Sequence, residues 1–297
     1  PLEWYSAAAF KSGWIEYSYD NKKYTKIKNW RRDEFLEKTK EYVLRRPKSQ
    51  IMGDLPPFSR LLTILNIEDA SFIGAYERER HNLEDFLDAA TKMPGFEKYS
   101  HILAILAKLR QIVGLAKVDS CVEKVREYLA EENGNGKVTI GLHHKVVSAL
   151  LEAKLSEFNP IILNGEMSPE KKLRAENTFR EDPTRKVMLA SILAAGEGLN
   201  FQFCSYAILL ERQWNTPKEV QFEGRFHRRG TKLPVTVEYL VARGSIDEWL
   251  TELVEKKRHW INSALEKGTT FGPEEGEEDF SFNYMELANM CAQGKLK

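Results

Sequence analysis

Residues 186–230 read KVMLASILAAGEGLNFQFCSYAILLERQWNTPKEVQFEGRFHRRG, and their order decides the fold. Val187 to Ala190 is a short apolar run that ends at Ser191. Ala194 to Asn200 is a turn of small residues. Tyr206 to Leu210 is a second apolar run, closed by Glu211, and Gln221 to Gly230 carries Arg225, Arg228 and Arg229. Two runs of four or five apolar residues with turn signals between them suit buried parallel strands. Gly196 and Gly198 let backbone approach a ligand or another segment closely. The spacing predicts a helix under the arginines, with Arg225 and Arg228, three apart, on one face. Two guanidiniums so placed make a fork for phosphate oxygens; the plainer alternative is a solvated basic helix end.

Outward from this stretch, helix and strand alternate. Val118–Leu129 reads as an amphipathic helix, Lys137–Leu142 as a strand, Lys145–Leu155 as a helix and Pro160–Leu163 as a strand. Ser168 and Pro169 open a helix that runs to Phe179, with the serine as cap. Val235–Val241 is a last strand, and Ser245 caps a helix through Leu265. Repeated strand–helix units predict an α/β lobe, its mainly parallel sheet covered by helices.

Further upstream, Leu61–Ile67 reads as a strand, and Phe72–Arg80, Asn82–Met93 and Tyr99–Gly114 as helices. Residues 1–50 mix aromatic and basic side chains, from Trp4 and Trp14 to Lys28, Trp30 and Arg31. That mixture can grip a nucleic-acid backbone, or it can be a half-buried hairpin around Tyr19–Asn21 edged by lysines. Asp33–Tyr42 looks helical, and Pro47 with Pro56–Pro57 marks a linker. The divisions are 1–57, 58–116 (strand plus helical extension), 117–265 (the α/β lobe) and 266–297. The last is an acidic tail, with a small helix near Met285–Met290 that can dock.

The 297 residues suffice for one large or two ordinary domains, and equal numbers of basic and acidic residues, 44 each, decide nothing about nucleic acid. Three scattered cysteines with no C-x-x-C pair argue against a zinc knuckle or a disulfide framework, so no metal site is expected. No apolar run is long enough to span a membrane and no signal peptide opens the chain. The expected location is intracellular: cytoplasmic in a prokaryote or virus-infected cell, nuclear in a eukaryote. The start at Pro1 points to a fragment or a processed product.

Ser191 to Asn200, Trp214–Asn215 and the pattern Q-x-x-G-R-x-H-R-x-G from Gln221 to Gly230 together resemble motifs V and VI of the Swi/Snf-type ATPases. These are DNA translocases of helicase superfamily two. Leu44-Arg45-Arg46 followed by Leu55-Pro56-Pro57 resembles the family's segment between its two motor lobes. Ala195, Glu197 and Thr231 depart from the family pattern. The resemblance implies a RecA-like second lobe. Arg225 and Arg228 would be arginine fingers, and Gln221, Gly196, Gly198 and Asn200 would lie on the nucleotide side of the cleft. Ser191 would couple the loop to the DNA backbone. His143, His144 and Lys145 follow the strand where family motif IV sits and would touch DNA, or the two histidines would cap a helix or form a surface pair. Arg174 would contact phosphate or form a salt bridge; Arg45 and Arg46 would do likewise. Trp214 reads as a packing anchor.

Neither a G-x-x-x-x-G-K-[ST] phosphate loop nor a D-E-A-H-like box occurs in these residues. The resemblance therefore implies that ATP with Mg is bound mainly by a missing first lobe and that this chain alone does not hydrolyse ATP. The partners implied are DNA, through its backbone, and the N-terminal RecA-like lobe of the same protein. The competing reading is a non-catalytic nucleic-acid- or partner-binding module on the same scaffold. A Rossmann enzyme fits less well, because G-x-G is not extended to G-x-G-x-x-G.

Overall fold

The computed structural model describes residues 6–17, 24–39, 53–90, 93, 95–132, 136–196, 198–266 and 284–292. The chain divides into two compact units, Pro1–Gly53 with Glu255–Asn283 and Asp54–Val254 with Tyr284–Lys297.

In the first unit, helix α1 (Ala7–Trp14) leads into an antiparallel pair, β1 (Ile15–Tyr17) and β2 (Tyr24–Ile27), followed by helix α2 (Arg32–Thr39). This is the hairpin alternative, its turn lying outside the described residues. Trp14 is buried beside Phe10 and Phe35, and the Arg31 guanidinium sits 4.3 Å from the centre of its ring. It packs a core and does not offer a stacking platform; Trp30, by contrast, is exposed. The Arg45–Arg46 segment lies outside the described residues.

The second unit is built on six parallel strands, β3 (Phe58–Leu65), β4 (Val138–Leu142), β5 (Ile161–Leu163), β6 (Val187–Ser191), β7 (Tyr206–Leu209) and β8 (Val235–Ala242), in the order β3-β8-β7-β4-β6-β5. The expected parallel sheet of a RecA-like lobe is there. The strand upstream of the helical extension belongs to it: β3 pairs with β8 from Phe58↔Val235 to Leu65↔Ala242. Successive residues of the inner strands face opposite layers. Val187 and Leu189 join one core, with Val138, Ile140, Ile208 and the helices flanking β4; Met188 and Ala190 join the other, with Phe179, Phe222 and Phe226. A sheet buried on both faces needs such unbroken apolar runs. Gly141 in β4 sits where a Cβ would meet Ile192 and Phe222 at 3.1 and 3.2 Å, so a side chain there would press those two back by a few tenths of an ångström.

Helices α3 (Ala70–Ala89), α4 (Gly95–Ala116) and α5 (Val118–Glu131) precede β4. The two helices read from Phe72–Arg80 and Asn82–Met93 are largely one. Asp69 caps its start by accepting the Ser71 amide at 2.7 Å, and no breaker separates Arg80 from Asn82. Helices α6 (Lys145–Lys154) and α7 (Pro169–Glu181) follow β4 and β5, and Ser168 accepts from the Lys171 amide as the cap residue expected. Then come α8 (Ile192–Ala195), which runs into the stretch read as a turn from Ala194, α9 (Thr216–Glu223), α10 (Ile246–Glu266) and α11 (Tyr284–Ala292). Helix α11 docks on α3 and α4 with Leu287, Ala288 and Cys291 buried, and Arg80 donates to the carbonyl of Ala292 at 2.8 Å.

Lys117, where the expected α/β lobe begins, is a buried pin. Its ammonium donates to the carbonyls of Leu210 and Leu240, just beyond β7 and within β8, and to Asp247 at 2.5 Å. Burial pushes the Cys121 and Cys204 thiols up to about 12 and about 11, so neither is a ready nucleophile. No described helix is long and apolar enough to cross a membrane.

Candidate functional site

Three strands of the lobe deliver polar residues at their carboxyl ends, where open α/β sheets hold ligands. His143 and Lys145 follow β4, Asn164 and Gly165 follow β5, and Ser191 ends β6. All five line one cleft of about 240 Å³ with an apolar floor of Leu142, Ile162 and Leu189. Ser148, one turn into α6, also lines it; its buried hydroxyl has no hydrogen-bond partner among the described residues. Lys145 is exposed and pairs at 2.5 Å with Glu166, itself exposed. Screening makes such a pair weak and easily exchanged for another anion.

His144 turns elsewhere. Its ring Nδ1 lies 2.5 Å from Glu211 Oε1, and the backbone amides of His143 and His144 donate to Oε2 at 2.8 and 2.9 Å. Glu211 is buried just after β7. Burial alone would raise its pKa, but His144 and the two amides outweigh it and hold the carboxyl below its ordinary value. Partial burial of the His143 ring, then the Arg110 guanidinium, lowers its pKa, although the residue is exposed at the surface.

The residues after β6 form a second cluster. Arg225, half-buried, donates from Nη2 to the carbonyl of Gly196 and from Nη1 to that of Leu199 at 3.3 Å. It thus grips the loop from both ends. Gln221 Oε1 lies 3.8 Å from where a Cβ on Gly196 would be, so the glutamine faces the same loop. Gly198 has φ +74°, a conformation that disfavours side chains. The far end of the loop is held from α7: buried Glu176 accepts the Asn200 amide at 3.1 Å and pairs with Arg180. The Asn200 side chain serves locally, accepting from the Gln202 amide at 3.4 Å. Glu197 lies outside the described residues.

The helix expected beneath the arginines stops short of them. α9 ends at Glu223, with Gly224 as its cap, and residues 225–227 continue as tight turns. The reason is visible at Glu223, whose carboxylate is held by Arg60 at 2.7 and 2.9 Å and by the Tyr239 hydroxyl. His227 is anchored to the Pro56 carbonyl at 2.8 Å. Arg225 and Arg228 therefore do not share a helical face. Arg225 faces the loop, while Arg228 is exposed and its amide donates to Thr231 Oγ1 at 3.0 Å. Arg174 is exposed on α7 and makes no ion pair with a described residue.

Sequence patterns carry the same message. Residues 120–230 match the Helicase conserved C-terminal domain family. Human "DNA annealing helicase and endonuclease ZRANB3" is 23% identical over 251 residues, covering 84% of this chain and 22% of that protein. A Caenorhabditis elegans homologue of SWI/SNF-related matrix-associated actin-dependent regulator of chromatin subfamily A-like protein 1 is 24% identical, over 78% of this chain and 33% of its own length. The "Sulfolobus solfataricus SWI2/SNF2 ATPase core in complex with dsDNA" superposes with a TM-score of 0.59 at 22% identity, covering 86% of this chain and 55% of that one. Residues 120–230 carry the helicase C-terminal domain pattern, and the lobe is similar to that of Swi/Snf-type ATPases. The chain spans only about a fifth to a third of these two curated relatives.

Within this lobe, several residues that shape the site carry no signal in the sequence alone. Glu211 was read only as the end of a strand, and its triple acceptor role needed the spatial neighbour of β4. Gly114 on α4 reads as a helix end in the sequence, yet a Cβ there would stand 2.8 Å from Glu211 Oε1. Arg212 and Glu219 form a fully buried pair, 2.8 and 3.2 Å apart, that fixes the chain between β7 and α9. Trp214 lies under the Arg110 guanidinium at 4.5 Å, in keeping with a packing anchor.

Proposed function

We propose that this chain is the second motor lobe of an ATP-dependent DNA translocase, working against a first lobe that binds Mg-ATP. The observation that carries the reading is the division of labour between Arg225, which grips the glycine loop, and Arg228, which is exposed three residues later. Bound ATP supplies the phosphoanhydride whose cleavage drives the cycle. Arg228 offsets the charge that develops on the phosphoryl group as the cleft closes, a role worth roughly 10³–10⁵ in rate in other NTPases. Arg225 reaches the same phosphates only by releasing Gly196 and Leu199, which links nucleotide state to loop position. Gln221, Gly196, Gly198 and Asn200 form the nucleotide-side network. Ser191, His143, Lys145 and Arg174 hold the DNA backbone without reading bases, and Arg45 and Arg46 add phosphate contacts from the linker. His144 acts from behind them.

The test joins the chain to its first lobe and measures DNA-stimulated ATP hydrolysis with and without Arg228→Ala. Turnover should fall by about 10³ or more while DNA binding is retained. Unchanged turnover would bring forward the binding-module reading, in which the lobe only docks nucleic acid or a partner. The chain alone should not hydrolyse ATP at a motor-like rate.

A further inference from the structure

We propose that Glu211 is a positioning residue that locks His144 in its Nδ1–H tautomer and thereby fixes the turn presenting His143 and Lys145 to the cleft. The inference rests on the reading of that cleft as a DNA-backbone site. Its first ground is chemical. An ionised carboxylate can only accept, so the short contact from His144 Nδ1 to Glu211 Oε1 requires the proton on Nδ1. In the neutral ring Nε2 is then the acceptor, and no described residue bonds it. The second ground is that Oε2 is already occupied by two consecutive backbone amides. One buried side chain therefore fixes both the backbone and the ring of the same turn, from the end of a neighbouring strand.

The third ground is the space reserved for the carboxylate. Gly114 on α4 leaves room that a methyl group would fill, 2.8 Å from Oε1 and 3.1 Å from the carboxyl carbon. Around the turn, Gln213 Nε2 lies 3.4 Å from His143 Nδ1, and the two histidine rings meet edge to face with centroids 4.9 Å apart. A histidine that touched phosphate through a freely turning ring would need none of this. The arrangement instead spends His144 on support and leaves His143 and Lys145 to line the cleft.

Replacing Glu211 by Gln preserves shape but gives the site a donor where it had an acceptor. With the amide oxygen facing the two backbone N–H groups, the amide nitrogen faces His144 Nδ1, and the ring must move its proton to Nε2 or turn away. The experiment is a long-range ¹H–¹⁵N correlation spectrum of the histidine rings in this chain, with His144 assigned by a His144→Gln variant. The expected result is an Nδ1–H signature for His144 in the native chain and an Nε2–H signature in Glu211→Gln. A native Nε2–H signature overturns the proposal without any variant having to fold. Gly114→Ala, which presses on the carboxylate from the opposite side, should also perturb the His144 signature. Duplex DNA binding at low salt forms the second arm. Glu211→Gln should weaken it about tenfold, the scale of one charge-assisted hydrogen bond. Weakening by Lys145→Ala and His143→Ala but not by Glu211→Gln overturns the positioning role. If all three variants bind as the native chain does, the reading of the cleft as a DNA site has failed instead, whatever the tautomer.

Discussion

Replacing Lys117 by Met should unfold the lobe at markedly lower denaturant. The Lys117 ammonium is fully buried, as is nearly all of Asp247, and Nζ satisfies two backbone carbonyls, one just beyond β7 and one in β8, besides the carboxylate. Methionine fills a similar volume but leaves Asp247 as a buried carboxylate without its cation. Breaking a buried pair in this way costs about 3–5 kcal/mol. At an m value of about 3 kcal/mol/M in urea, the midpoint should fall by roughly 1–1.7 M. Asp247→Leu alone should cost a similar amount, because the ammonium is then stranded. The double variant should lose less than the sum, with a coupling of roughly 1–3 kcal/mol, since neither charge remains. The assay is urea unfolding of the four proteins followed by near-ultraviolet circular dichroism. Strictly additive losses, or a single-variant loss below about 1 kcal/mol, would refute the idea that this pair pins β7, β8 and α10 together.

Three further outcomes are expected. Gly114→Ala should cost about 1–3 kcal/mol by overpacking against Glu211 and Val147, read as a lowered melting temperature; a neutral result would mean that the carboxylate moves freely. Because the folded pKa of Glu211 lies below its ordinary value of 4.5, the stability it contributes is present above that pH and is lost as pH falls through the folded value. Glu211→Gln should therefore flatten the acid limb of the stability–pH curve below about 4.5, and an unchanged limb would contradict the assigned shift. Finally, DNA affinity should fall steeply with salt, and Arg174→Ala should reduce the slope of log K against log[salt] by about one if that guanidinium meets a phosphate.

The motif stretch was legible because parallel strands buried on both faces need continuous apolar runs and because glycines mark the loop between them. Local chemistry also announced the Ser168 cap and the start of α7. What stayed hidden depended on partners distant in sequence. Nothing near Phe58 says that it will pair with Val235, since a strand between a linker and a helical segment reads equally well as part of an extension. The helix under Arg225 was overextended because its spacing is helical, whereas Arg60 and Tyr239 decide where it stops by holding Glu223. Arg225 itself looked like half of a phosphate fork until the carbonyls of Gly196 and Leu199 occupied it.

The pairing of β3 with β8 also sets an order of assembly. The ribosome releases β3 before any other strand of the sheet, yet its only neighbour among the described residues is β8, the last of the six made. Thr63 meets Glu238 across 175 positions of chain. The four contiguous strands β5, β6, β4 and β7 can associate while β8 is still being synthesised, and β3 must wait without its partner. Such late, distant closure slows folding and leaves a stretch that includes Leu61, Leu62 and Ile64 open to other chains in the interval. The lobe is thus completed by a clasp at its oldest strand, and substitutions in β3 should be felt in yield from the cell before they are felt in the purified protein.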